Sequence, residues 1–293
     1  MQESNQHNSA LCVLASGSSG NCAVLRTANG RLVLIDAGLS PKRTAMALGA
    51  LGHDMADVAA IVLTHLDHDH FYSSWVGAIP RKLAGDACLW VHASHSKERR
   101  LDPLHECGRL RTFERDAFEP CASASFTSRL ASHDAEGVAT FRISTPDGEL
   151  GYLTDLGEVT QKLVDFHRGV GVLAIESNYC PRLQVRSGRP DFLKQRIMGG
   201  AGHLSNQQCL SATEAISPAS HAVFLHLSRE CNSPEIVGEL HEGANYARTI
   251  AGPDQPTRWV AIEGPVRAPV VVSKPVAPPA PPPPPMTLFG RLA

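Results

Sequence analysis

Short apolar runs, broken by turns of small and polar residues, set the pattern of the first part of the chain and predict strands. Residues 11–14 form the first run, and 15–21 are a turn built from Ala, Ser, Gly and Asn. Residues 23–26 return, Asn29-Gly30 is a hairpin signal, and 32–35 make the next strand. Ser40 as N-cap and Pro41 as first helical residue predict a helix over 41–51. The apolar run 59–63 reads as a buried strand. Beyond it, 89–92 is a strand, 95–107 is a charged helical segment, and 125–127 and 139–143 flank a turn containing His133. Strands at 151–154, 172–175 and 222–225 follow. Two strand-rich halves, near 11–144 and 150–263, suggest a duplicated αββα arrangement with a site between the sheets.

Residues able to bind metal or move protons recur where these runs stop. Asp36 ends one, His65, Asp67, His68, Asp69 and His70 follow another, and Asp155, Glu176 and His226 end three more. A single such terminus is ordinary turn chemistry; five or six on different strands point to a site assembled at one edge. Residues 64–70 carry the sharpest signal, with five donors in six residues. Crowded carboxylates raise each other's pKa, and neutral imidazoles bring little relieving charge. A divalent cation resolves the conflict, because imidazole nitrogen and carboxylate oxygen both ligate zinc or manganese. His68 projects away from its neighbours in this register and is not counted as a ligand. Asp36 either orients ligand histidines or simply opens a turn. The 15–21 turn can present Ser18 and Ser19 and their backbone N–H groups to a phosphate, although hairpins use the same residues with no ligand.

Composition narrows the class. The 293 residues carry a formal charge of -2, so any polyanion must be held by local patches rather than a global field. The first ten residues are polar, without the basic-then-apolar pattern of a secretion signal, and no run is long and apolar enough for a membrane span. Eight cysteines stand singly with no CxxC pair, which fits reduced thiols in a cytoplasmic protein. After Gly264 the chain becomes rich in proline and alanine, as an extended, disordered tail. It ends in an apolar peptide with Met286, Leu288 and Phe289, which is similar to the short motifs that bind bacterial sliding clamps, with Pro285 where their glutamine stands. The expected organisation is a polar extension over 1–10, one folded α/β domain over 11–263 and the tail over 264–293.

The order Asp36, His65-x-Asp67-x-Asp69-His70, His133, Asp155, His226 resembles the metallo-β-lactamase fold. More narrowly, residues 14–21, 154–157, 176–178, 193–197, 202–206 and 226–228 resemble the WalJ/YycJ branch of metallohydrolases. The likeness covers about 10–263 and implies an α/β, four-layer αββα sandwich. By the resemblance, His65, Asp67 and His133 hold one divalent ion and Asp69, His70 and His226 a second, with Asp155 bridging. Two such ions (Zn or Mn), about 3.5–4 Å apart, lower the pKa of a shared water. Hydroxide formed there attacks phosphorus in line, which makes Asp69 catalytic as well as a ligand. His203, oriented by Glu176, becomes a candidate to stabilise the phosphoryl oxygen or protonate the leaving group. A structural histidine at a helix start is the other reading, since Ser205 and Asn206 resemble caps.

The branch is associated with exonuclease action on DNA, so the likeness implies a dinuclear DNA exonuclease. Arg182, Arg186, Arg189, Lys194 and Arg196 fall in one segment, with Lys194 and Arg196 as candidate phosphate contacts, and Lys97, Arg99 and Arg100 form a second cluster. With aromatic residues at 5%, backbone gripping is expected rather than extensive base stacking. Three positions depart from the family: Asp67 and Tyr179 stand where it has histidine, and Cys231, beside Asn232, stands where it has asparagine. A carboxylate at Asp67 hardens the first site toward Mn²⁺ or weakens it. A (thio)ester or lactone hydrolase, a di-iron redox protein or a metal-stabilised binding protein are the competing readings. Oligomeric state is left open.

Overall fold

Leu11 and Val13 face one apolar layer and Cys12 and Leu14 another, so the first strand is buried on both sides and must lie in a covered sheet. The structure, a computed structural model, describes residues 8–133 and 135–266; most of the polar extension and the tail peptide with Met286, Leu288 and Phe289 lie outside them. The strands begin as β1 (Ala10–Ala15), β2 (Cys22–Arg26), β3 (Leu32–Ile35), β4 (Val58–Val62), β5 (Cys88–His92), β6 (Leu110–Phe113) and β7 (Phe118–Cys121). They continue as β8 (Ala124–Ala131), β9 (Val138–Ser144), β10 (Glu149–Leu153), β11 (Val172–Glu176), β12 (His221–Leu225), β13 (Ala247–Ile250) and β14 (Val260–Ala261). The helices are α1 (Pro41–Ala50), α2 (Trp75–Lys82), α3 (Asp102–Glu106), α4 (Gln161–His167), α5 (Pro181–Arg186), α6 (Asp191–Met198), α7 (Asn206–Ile216) and α8 (Pro234–Leu240).

The strands pair into two sheets, β14-β1-β2-β3-β4-β5-β6 and β13-β12-β11-β10-β9-β8-β7. Each is antiparallel at one end and parallel at the other, with the change at β3 in the first and at β10 in the second. The duplication is therefore present, but the halves divide elsewhere than near 144–150. That stretch is a hairpin, closed by Thr145 N–H donating to Gly148 O (2.9 Å), which keeps β9 and β10 side by side in one sheet. The chain changes sheets between β6 and β7, and β14 returns to pair with β1.

One apolar core fills the space between the sheets, drawing on Leu11, Val33, Phe126, Phe141 and Val223. A second lies between the first sheet and α1 to α3, built on Leu14, Leu48, Phe71 and Trp75. A third joins the second sheet to α4, α7 and α8 through Leu163, Leu173, Ile216 and Val237. The order helix, sheet, sheet, helix is the four-layer sandwich the pattern predicts. Ser40 caps α1 by accepting from Arg43 N–H, with Pro41 in the first turn. The segment 95–107 is not one helix. It breaks into single 3₁₀ turns at Ala93–His95 and Arg99–Leu101 and the short α3, because Pro103 has no N–H to give and fits only a first turn.

Candidate metal centre

Parallel strands of both sheets end at one edge, and the residues that follow them converge there. Three of these, Asp36 (φ 62°), Asp155 (φ 53°) and His226 (φ 55°), adopt the left-handed conformation that non-glycine residues rarely take. That turn aims each side chain back over the sheet edge. Gly38 lets the loops stack: a Cβ there would sit 1.7 Å from the Asp69 carbonyl oxygen. Asn21 N–H donates to the same oxygen (2.7 Å), and Ala37 N–H to that of His70 (2.8 Å), so the 15–21 turn, the end of β3 and the 64–70 loop lock together.

Three histidines are oriented by their Nδ1. His70 Nδ1–H donates to Asp36 Oδ2 (2.8 Å), His133 Nδ1–H to Gly202 O (3.1 Å), and His65 Nδ1 meets Thr64 Oγ1 (3.0 Å). These contacts turn Nε2 of His65 and His133 toward the cavity and Nε2 of His70 toward Asp155, the nitrogens a metal would take once deprotonated. Donor atoms then gather in three groups: His65 with Asp67 and His133, His65 with His70 and Asp155, and Asp155 with Glu176, His203 and His226. Asp155 sends Oδ2 to His70 Nε2 (2.7 Å) and Oδ1 to His226 Nδ1 (2.5 Å) and His203 Nδ1 (3.4 Å). One carboxylate thus faces both halves of the site. Asp69 Oδ2 lies 3.7 Å from His70 Nε2 and 3.8 Å from His226 Nε2, and Asp67 Oδ2 lies 3.8 Å from His65 Nε2.

This donor set suits divalent cations. Ligands about 2.1 Å from a tetrahedral ion stand roughly 3.4 Å apart, near the separations around Asp67 and Asp69 and beyond hydrogen-bond length. The buried Nδ1 of His226 has no aligned hydrogen bond despite its closeness to Asp155, a polar atom that a cation would satisfy. Asp67 is the outermost donor, its side chain 57% exposed against 27% for Asp69. His68 is exposed, with its ring beside Tyr72 and away from the cluster.

Charge is distributed unevenly. Burial works to lower the pKa of His70, but Asp155 and Asp36 outweigh it and hold it well above the ordinary histidine value. His65 moves the other way, pushed well below by burial and then by His70. Burial opposes ionisation of Asp155, yet His226 and His70 keep it well below the usual carboxylate range. His203 is also opposed by burial, and Glu176 followed by Asp155 raises it to about 9. Glu176 is itself fixed, accepting from His203 Nδ1 (2.6 Å) through Oε1 and from Leu156 N–H (2.7 Å) through Oε2.

A cavity of about 200 Å³ opens over the cluster. His65, Asp67, Asp69, His133, Asp155, His203 and His226 form its floor and walls, with Ser18 and Arg196 at its side. His70 and Glu176 stand behind that wall. Ser19 and Lys194 are elsewhere: Ser19 Oγ accepts from Arg229 (3.1 Å), and Lys194 Nζ donates to Val185 O (3.0 Å) beside Asp191. A second cavity, about 290 Å³, shares His65, Asp67 and His133 and contains Arg100, which donates to Leu66 O (2.5 Å). Tyr179 is buried in a bridge to Ser205 and lines neither cavity.

Sequence reasoning passed over several supports. Asn21 Nδ2 contacts His70 Nε2 (2.9 Å) and donates to Asp69 Oδ2 (3.2 Å), and Ser16 Oγ accepts from His226 N–H (2.8 Å). Thr64 N–H and Oγ1 both donate to Asp36. Asn232, beside Cys231, donates to Ser177 O and Asn178 O and meets Asn206, bracing the ends of β11 and β12. In the sequence Ser16 and Asn21 show only as members of the small-residue turn after β1, Thr64 as the neighbour of His65, and Asn232 as the neighbour of Cys231.

Known proteins sharpen the picture. The model of the beta-lactamase superfamily domain matches residues 31–227. The exodeoxyribonuclease WalJ of Streptococcus pneumoniae serotype 2 is 31% identical over 232 residues, 76% of this chain and 83% of that protein. The exodeoxyribonuclease YycJ of Bacillus anthracis is 29% identical over 76% of this chain and 84% of its own. Among solved structures, the metallo-β-lactamase fold protein YhfI of Bacillus subtilis aligns with a TM-score of 0.64, at 14% identity, over 84% of this chain and 99% of its own.

Proposed function

The chain belongs to the beta-lactamase superfamily, and we propose that within it this protein is a metal-dependent phosphodiester hydrolase acting on DNA as an exonuclease. The observation that carries the proposal is the meeting of donors from separate strand ends at one cavity, in a chain resembling two exodeoxyribonucleases. His65, Asp67 and His133 would hold one divalent ion, Asp69, His70 and His226 a second, and Asp155 would serve both. When bound, two such ions lower the pKa of a shared water and neutralise charge on a phosphoryl group. The hard carboxylate oxygen of Asp67 favours manganese over zinc at the outer position.

The residues of the chain do the rest. Asp36, Thr64 and Gly202 fix the tautomers of His70, His65 and His133, so the donors need no reorganisation when substrate enters. His203, held by Glu176, whose carboxylate favours its protonated form, offers a proton across the cavity. It donates to a phosphoryl oxygen or to the departing alkoxide, a role worth roughly 10²–10⁴ in rate. Arg196 stands where it can meet a phosphate of the bound strand, and Ser18 lies on the same wall. Lys194, turned to Val185 O, contributes only to the field of this segment.

The eight thiols are unpaired, which supports the cytoplasmic placement we propose; among the described residues no helix is long and apolar enough to cross a membrane. The test is cleavage of end-labelled single- and double-stranded DNA and RNA, with Mn²⁺, Zn²⁺ or Mg²⁺ supplied in turn. Release of mononucleotides from DNA ends is expected, and Asp69→Ala abolishes it while the circular dichroism spectrum is kept. A protein that hydrolyses thioesters or lactones and leaves polynucleotides whole overturns the proposal.

A further inference from the structure

The helix α6 (Asp191–Met198) contains Phe192, Leu193, Ile197 and Met198, yet it buries none of its residues. Leu193 and Ile197 are half-buried and hold the helix against the domain, while Phe192 and Met198 are left in solvent, apolar surface that packing within the chain does not use. Its ends are also tied down. His203 N–H donates to Ile197 O (2.8 Å) at one end, and Lys194 Nζ reaches Val185 O (3.0 Å) of the adjoining helix α5. The open face is therefore held in place at the mouth of the metal cavity, whose wall includes Leu193, Arg196 and Ile197. Phe192 and Arg196 are four residues apart and so lie on one side of the helix. Arg196 lines the cavity, and Phe192, one turn earlier and 73% exposed, lies just outside its lining, next in sequence to the wall residue Leu193.

Charge identifies the occupant. Residues 181–198 carry five cations, Arg182, Arg186, Arg189, Lys194 and Arg196, against Asp191 within the segment and Glu230, which pairs with Arg189 (2.8 Å), so the segment is net positive in a chain whose total is -2. Exposed rings set among cations suit a single nucleic-acid strand, whose phosphates take the cations while its bases stack on the rings. Building on the nuclease reading above, we propose that Phe192 is a positioning residue that stacks on a base next to the scissile phosphate, while Arg196 holds a neighbouring phosphate. The α5–α6 pair is then the clamp that feeds a strand end to the metals. One ring at the entrance agrees with a chain poor in aromatic residues: a single base is gripped there.

The experiment follows steady-state cleavage of a labelled single-stranded oligonucleotide by the full chain, Phe192→Ala, Phe192→Leu and Phe192→Tyr, each loaded with the metal that supports activity. Ala and Leu are expected to raise KM about five-fold or more with kcat little changed, and Tyr to restore the wild-type value. Abasic nucleotides beside the cleaved end raise the wild-type KM similarly and erase its difference from Phe192→Ala. If the wild type cleaves DNA but Leu serves as well as Phe, or abasic sites change nothing, the stacking role is overturned and the nuclease reading stands. If Phe192→Ala instead splits an oligomer without changing KM, the face belongs to a second copy of the chain and the proposal is overturned. A wild type that cleaves neither DNA nor RNA removes the nuclease reading, and this inference with it.

Discussion

Asp36 lies outside the cavity wall, yet its carboxylate decides which nitrogen of His70 reaches the site. Oδ2 accepts from His70 Nδ1–H, and Oδ1 accepts from Thr64 N–H and Oγ1–H, so both oxygens are committed and the group is wholly buried. Asp36→Asn replaces one acceptor with an N–H donor against a donor. Metal affinity is expected to fall about 10–100-fold, measured by competition with a chromogenic chelator; equal affinity would show that His70 is held without it. His203 makes a second residue-scale prediction. Burial works against its imidazolium form, and Glu176 followed by Asp155 outweighs burial and raises its pKa. If it donates a proton, activity is present while it is charged and falls as pH rises through its pKa. Removing the carboxylate charge in Glu176→Gln moves that alkaline limb of the kcat profile down toward neutrality, and an unmoved limb assigns the titration to another group. Most of the candidate ligands stand out in the sequence because they follow apolar runs, whereas His133 lies in a turn and enters only through the family resemblance. Asn21, Ser16 and Thr64 do not stand out, since their roles arise only when three loops distant in sequence come into register.

At the scale of elements, what matters is how closely the loops at the strand ends approach. Gly38→Ala places a methyl 1.7 Å from the Asp69 carbonyl oxygen, a backbone atom that cannot swing aside. The 64–70 loop must move, so the variant is expected to lose metal binding and activity with only partial loss of stability. Gly49 is the contrast: it lies within α1 with nothing near its missing Cβ. Gly49→Ala should stabilise the chain by about 0.5–1 kcal/mol in urea unfolding and leave metal affinity alone. If both variants bind metal like the wild type, the loop contact is not what positions Asp69. The helix α1 was readable beforehand because Ser40 and Pro41 mark its start through local chemistry. The segment 95–107 was misread because its charge pattern concealed the interruption at Pro103. Nor does the pattern of strands reveal which sheet each joins. The hairpin at 145–148 looks like any other polar break until β9 and β10 are seen paired.

The whole molecule carries a titration that has nothing to do with the metals. His167, at the end of α4, is fully buried, and its pKa is pushed down to about 3 by burial and then by Arg142 and Arg129. Thr140 Oγ1 donates its own proton to Arg129 O, so it accepts from His167 Nε2–H (3.1 Å). That leaves Nδ1 as the unprotonated nitrogen, buried and unpartnered beside Gly151. Protonation would create a cation with no acceptor and two guanidinium groups nearby. In the unfolded chain His167 titrates near 6.5, so below that pH the unfolded state takes up a proton that the folded state refuses. The stability this neutral histidine preserves is intact above about pH 6.5 and is lost as the pH falls toward 3. The slope contributed by one such site reaches about 1.4 kcal/mol per pH unit. His167→Gln removes the titration while keeping a side chain able to meet Thr140. Its stability at pH 7 is lower, because the fit around Gly151 and Phe166 is disturbed. The decisive reading is therefore the slope of unfolding free energy between pH 6.5 and 4, measured in chelator so that the ligand histidines contribute equally to both proteins. The variant's slope should be shallower by up to one proton. Parallel curves would mean that His167 gains a partner, or meets water, as soon as it is charged.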